Sequence, residues 1–176
     1  MTALDSRELL APTDGSLGPL LRLTDDRLAP GAGYGRHDHR DVDVVAVVLA
    51  GSLRHAWGAG GTVAAGDVGV LRAGRGLTHD EVAGPAGAHV LQAHLRAADP
   101  GAVPAHDVVR AAGGWVDLGR PDARLWTGPA GAGVPAGLRV VVRDGSVAVE
   151  AGAGAVPGGA VVCVWQLDST RPTWAG

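Results

Sequence analysis

The sequence predicts an all-β protein, a sandwich or closed barrel, on three observations. Short Val-rich runs of strand length recur along the chain, at Leu20 to Leu23, Val42 to Leu49, Leu53 to Trp57, Val68 to Leu71, His89 to Leu95, Leu138 to Val142, Val147 to Val149 and Val161 to Leu167. Good turn chemistry separates them: Ala50-Gly51, Gly58 to Gly61, Ala65-Gly66-Asp67, Gly74 to Gly76, Asp144-Gly145 and Pro157 to Gly159. No long amphipathic helix interrupts the pattern. Closure into a barrel would remove the exposed edges that so many short strands otherwise present.

Taken in order, the strand runs are dense from residue 15 to 97, then thin out. Between Ala97 and Gly133 stand Pro100, Pro104, Pro121 and Pro129, each of which removes a backbone donor and breaks a regular element. The expected organisation is therefore a first lobe over 15–97, then a connection and an abbreviated second lobe of three or four strands over 98–176. Trp115, Trp126, Trp165 and Trp174 fall in that second half, where large apolar side chains would anchor a small lobe.

Composition narrows the function. The 176 residues are 46% hydrophobic, enough for a real core, and carry a formal charge of -3 with no run of arginines. Nucleic acid and anionic membrane are thus not expected as partners. Lys, Ile, Phe and Asn are absent, a bias that residue types with AT-rich codons share, so the missing Phe carries no chemical message. Cys163 lies in an apolar run and reads as a buried, inert thiol. Met1 to Asp14 has no apolar segment followed by a cleavage pattern, and nothing reaches the ~20 apolar residues of a membrane span, so a cytoplasmic location is expected.

The chemistry gathers in two short pairs. His37 and His39 are two residues apart, and so are His79 and Glu81. In extended chain such residues point to one face, so each pair can aim two ligand atoms at one place. About forty residues lie between the pairs, room for a meander that returns beside its start. Three imidazoles and a carboxylate suit Fe, Mn, Ni, Cu or Zn and poorly suit Mg or Ca. Gly31-Ala-Gly-Tyr-Gly35 lacks the strand-turn-helix frame of a dinucleotide loop, and Gly74-Arg-Gly76 lacks the Lys and Ser/Thr of a phosphate loop. His55 shares the odd parity of His37 and His39 and is a candidate for the cavity if register persists through Gly51. Trp57 is a candidate at the cavity mouth. His89, His94 and His106 have no partner at ligand spacing and read as ordinary surface or core residues.

Gly31 to Gly51, with its His-Asp-His, resembles the first cupin motif as pirins write it, and Gly66 to Glu81 resembles their second. The resemblance covers residues 20–97 and becomes faint beyond. It implies a cupin (jelly-roll) β-barrel in a pirin-like bicupin with a reduced second lobe. It also implies one divalent transition metal, iron first among the candidates, held by His37, His39, His79 and Glu81. Asp43 stands where pirins have a glutamate that is not a ligand, which makes it a candidate to orient an imidazole. Where pirin strands carry Tyr and Phe this chain has Ala46, Ala93 and His94, so a wider or differently shaped cavity is expected. The implied activity is a quercetinase-like dioxygenase acting on a small aromatic or enolic molecule, with Glu81 as base. The alternatives are a metal or redox sensor that binds a protein partner, and another tailoring enzyme for small metabolites, since the barrel hosts many chemistries. Pull-down dependent on His37 and His39 would mark the sensor; loss of turnover in Glu81→Gln would mark the enzyme.

Overall fold

The computed structural model describes residues 3–58, 60–111, 113–131 and 133–169, which form fourteen strands and no helix. They fall into two compact units: residues up to Thr13 with Leu20–Arg110, and Asp14–Pro19 with the residues from Ala111 onward.

The first unit holds β1 (Leu4–Leu10), β2 (Leu20–Leu28), β3 (His37–His39), β4 (Val42–His55), β5 (Thr62–Ala64), β6 (Asp67–Arg72), β7 (Leu77–His79), β8 (Glu81–Arg96) and β9 (Ala105–Arg110). Its main sheet runs β1-β2-β8-β4-β6-β9, with β5 also on β4, and β3 and β7 form a separate ribbon. All pairings are antiparallel. β4 is the central strand: Val44, Val45, Ala46, Val47 and Val48 are all buried, so its two faces are covered and the run is apolar without alternation. Leu28, Ala46, Val48, Leu53, Val63, Ala83, Ala88 and Val90 pack together as one core, against which Leu4, Ala32 and Tyr34 rest.

Two sequence expectations change here. Val42 to Leu49 and Leu53 to Trp57 were separated by a turn at Ala50-Gly51; in the structure one strand passes through that point. The pairing of β4 with β8 shifts register between Val48 and Ala50 and again between Gly51 and Leu53, the signature of bulges that bend a strand without ending it. Gly51 sits at φ 70° against the Gly87 carbonyl, where a Cβ would collide with backbone, so glycine is required at the bend. The first unit also runs past residue 97, because β9 pairs with β6 from Asp67↔Arg110 to Arg72↔Ala105.

The second unit holds β10 (Gly114–Val116), β11 (Ala123–Pro129), β12 (Gly137–Arg143), β13 (Ser146–Gly152) and β14 (Val161–Leu167), in the order β10-β11-β14-β12-β13. That is one strand more than the sequence suggested, since the short, Gly-flanked β10 gives little apolar signal. Asp144 and Gly145 both have positive φ, the two-residue turn that joins β12 to β13 in register. Trp165 is buried, and Trp126 packs on Val134, Val156, Val162 and Val164. Trp115, expected to pack, is instead exposed, with the Arg124 guanidinium 4.0 Å above its ring. Trp174 lies outside the described residues. Cys163 is fully buried, and burial pushes its thiol up to about 12.

Candidate metal centre

β3 and β7 are short because their work is local. His37 stands directly opposite His79 across the ribbon, and His39 follows two residues on from His37, so all three imidazoles reach one side. His37 Nε2 lies 2.9 Å from His39 Nε2 and 3.1 Å from His79 Nε2.

Glu81 is placed differently from the simple two-residue argument. Strand geometry breaks at Asp80, between the end of β7 and the start of β8, and the Glu81 carbonyl accepts from the Tyr34 amide at 3.1 Å. Glu81 is paired across the sheet with His55, the last residue of β4. Its Oε1 lies 2.7 Å from His55 Nε2, and its Oε2 accepts from Gln92 Nε2 at 3.1 Å. His37, His39 and His79 form one group with ligand atoms within 4.8 Å of one another; His55, His79 and Glu81 form a second, with His79 common to both.

Hydrogen-bond logic then fixes which nitrogens carry protons. His37 Nδ1 is 2.6 Å from the Gly35 carbonyl, which can only accept, so Nδ1 carries the hydrogen and Nε2 is bare. His55 Nε2 lies 2.7 Å from the Glu81 carboxylate, which favours the proton on that nitrogen. Its Nδ1 is then bare and accepts from His79 Nδ1 at 3.3 Å, which leaves His79 Nε2 bare as well. The chain Glu81, His55, His79 is a carboxylate-backed relay that holds an imidazole in ligand form.

The two bare nitrogens of His37 and His79, 3.1 Å apart, repel unless a cation lies between them, and His39 Nε2 stands 2.9 Å from the first. Nitrogens about 2.1 Å from a shared ion and at right angles stand about 3.0 Å apart. The residues present therefore fit a transition metal. Burial pushes His79 down to about 4 and His39 below its ordinary value, in each case against the attraction of Glu81, so both stay neutral and available. Burial alone would raise the Glu81 carboxyl; the His55 hydrogen bond and the nearby imidazoles outweigh it and hold Glu81 ionised.

Beside the imidazoles lies a cavity of about 430 Å³, lined in part by His37, His39, Gln92, His94, Arg22 and Tyr34. Asp26 organises one wall, accepting from Ser6 Oγ at 2.5 Å, Thr24 Oγ1 at 2.9 Å and Tyr34 Oη at 2.8 Å. Burial, with the Asp26 charge, raises the Tyr34 phenol, which stays protonated as that donor. His106, on β9, stacks on His55 at 4.1 Å between ring centroids. Of the remaining sequence candidates, Asp43 is buried and accepts from the Ala98 amide at 3.3 Å. Trp57 is half-buried in the turn after β4 and stands apart from the cavity lining. Gln92, Tyr34 and Asp26 were missed, and His94 and His106 were read as ordinary surface or core residues. A signal existed for two of them: Gln92 and His94 are the polar, alternating residues of the otherwise apolar Val90–Leu95 run.

These antiparallel sheets have the all-β fold of the cupin superfamily. Residues 10–95 match the Pirin family model. Over 59 residues the chain is 44% identical to a protein of Zymomonas mobilis named "Putative quercetin 2,3-dioxygenase", covering 32% of this chain and 25% of that one. A pirin-like protein of Solanum lycopersicum is 37% identical over 86 residues, 47% of this chain and 30% of its own length. The chain thus spans about a fifth to a third of the length of the curated relatives it matches. Among solved structures, the bacterial pirin YhhW of Escherichia coli in complex with nickel(II) superposes with a TM-score of 0.68 at 21% identity, over 96% of this chain and 93% of that one. A quercetin 2,3-dioxygenase from Acinetobacter baumannii gives 0.59 at 20% identity, over 90% and 72%. At such identities these likenesses show the fold.

Proposed function

We propose that the chain is a metal-dependent dioxygenase of the quercetinase kind, acting on a small aromatic or enolic molecule. The observation that carries this reading is the gathering of three imidazoles, His37, His39 and His79, beside a cavity of about 430 Å³, with the buried Glu81 in a second group that shares His79. His37, His39 and His79 would hold the metal, and Glu81, joined to that group through His79, would serve as fourth ligand or as base. A divalent transition metal bound there, iron first among the candidates, would supply a Lewis-acidic site for a substrate oxygen and the redox chemistry that dioxygen needs.

The chain's own residues do the rest. Glu81 accepts the proton of an enolic hydroxyl, and the amide of Gln92 and the imidazole of His55 hold its oxygens in position for that transfer. His55 also keeps Nδ1 of His79 protonated, so that Nε2 faces the centre. The names of the Zymomonas and Acinetobacter relatives support the same reading of the cavity's occupant.

Glu81→Gln tests it. With quercetin as probe and oxygen uptake as readout, turnover should fall about 10²- to 10⁴-fold, the worth of a positioned base, while metal bound by three imidazoles largely remains. Full activity in the metal-loaded variant would remove Glu81 from this role.

A further inference from the structure

We infer that His94 is a ligand-orienting residue: its Nε2–H donates a hydrogen bond to an oxygen of the anionic molecule seated at the metal centre. This rests on the metal-centre reading above and adds a residue to it.

His94 follows Gln92 by two positions on β8, so both side chains share a face, and that face lines the cavity together with His37 and His39. The His94 ring centroid is 5.6 Å from that of His39. A molecule seated in the cavity against His39 therefore also meets His94.

The direction of that bond follows from an orphan. His94 Nδ1 is buried and has no hydrogen-bond partner. A buried N–H without an acceptor is rarer and more costly than a lone pair without a donor. Nδ1 is thus the bare nitrogen, the proton sits on Nε2, and Nε2 is the ring nitrogen left to face the cavity. Its polar neighbours there are engaged: Asp26 accepts three hydroxyls, the Gln92 amide donates to Glu81, and Arg22 pairs with Glu8 at 3.4 Å. A neutral donor aimed beside a metal suits an anionic oxygen and disfavours a cationic ligand.

The test uses cobalt(II)-loaded protein titrated with acetohydroxamate, a small anion with two oxygens, and followed by the visible absorption of cobalt. His94→Phe should bind one cobalt as wild type does but lose about tenfold to a hundredfold in acetohydroxamate affinity, the worth of a hydrogen bond to a charged group. His94→Gln, which keeps an N–H donor, should recover part of that loss. Unchanged affinity in His94→Phe with cobalt retained overturns the inference. Wild type that binds no cobalt overturns the centre itself and the inference with it, and cobalt content separates the two failures. The metal-free wild type gives an independent readout: two-bond ¹H–¹⁵N correlations should show His94 protonated at Nε2, and protonation at Nδ1 would overturn the assignment.

Discussion

Removing the His55 imidazole should be among the most damaging single changes available in the first unit. The side chains of His55 and Glu81 are 2% and 1% exposed and stand 2.7 Å apart, so the carboxylate has almost no water to fall back on. His55→Leu leaves Gln92 as the hydrogen-bond donor at Oε2 and nothing at Oε1. Breaking a buried pair by removing one partner costs about 3 to 5 kcal/mol, because the remaining charge stays desolvated. At a urea m-value of about 2 kcal/mol/M, that lowers the midpoint of metal-free protein by about 2 M. His55→Gln retains an N–H for the carboxylate and should lose much less. The double variant His55→Leu, Glu81→Leu removes the buried carboxylate together with its partner and should recover most of the loss. Urea titration followed by far-ultraviolet circular dichroism measures all three. A cost for His55→Leu of about 1 kcal/mol or less, the value of a solvent-exposed pair, would refute the reasoning.

Acid should weaken the metal-free fold in a defined window. His79, His94 and His106 are each pushed down to about 4, burial being the first cause. Between their ordinary value of 6.5 and about 4 the unfolded chain therefore binds more protons than the folded one. Stability is full above about pH 6.5, falls as pH drops through this window and gains no further loss from these groups below it. Thermal melts from pH 7 to 4 check this, and a flat profile would contradict it. Cys163, buried and held near 12, should resist iodoacetamide in the native state at pH 8 and react only on unfolding; rapid native labelling would contradict its placement.

The central strand and the histidine ribbon were legible because local rules decide them. Val-rich runs mark β4, and the two-residue spacing of His37 and His39 survives directly into β3. What the sequence concealed depends on register. Bulges around Gly51 shift the β4–β8 ladder, and only that ladder shows His55 opposite Glu81. The break at Asp80 likewise separates Glu81 from the simple alternation with His79. The alternation of Gln92 and His94 puts both on one face of β8, but nothing in a single sequence says that this face meets the metal centre, or that His106 on β9 meets a neighbouring ring. β9, mixed in polarity, lacks the apolar signature that would have carried the first unit to Arg110.

The measurement closest to the centre of this account is metal content by mass spectrometry of anaerobically purified protein, wild type beside a His37→Ala, His79→Ala double variant. The geometry predicts close to one transition-metal ion per chain in the wild type and almost none in the variant. Wild-type protein that holds no metal even after reconstitution, or a double variant that holds as much as wild type, would contradict it.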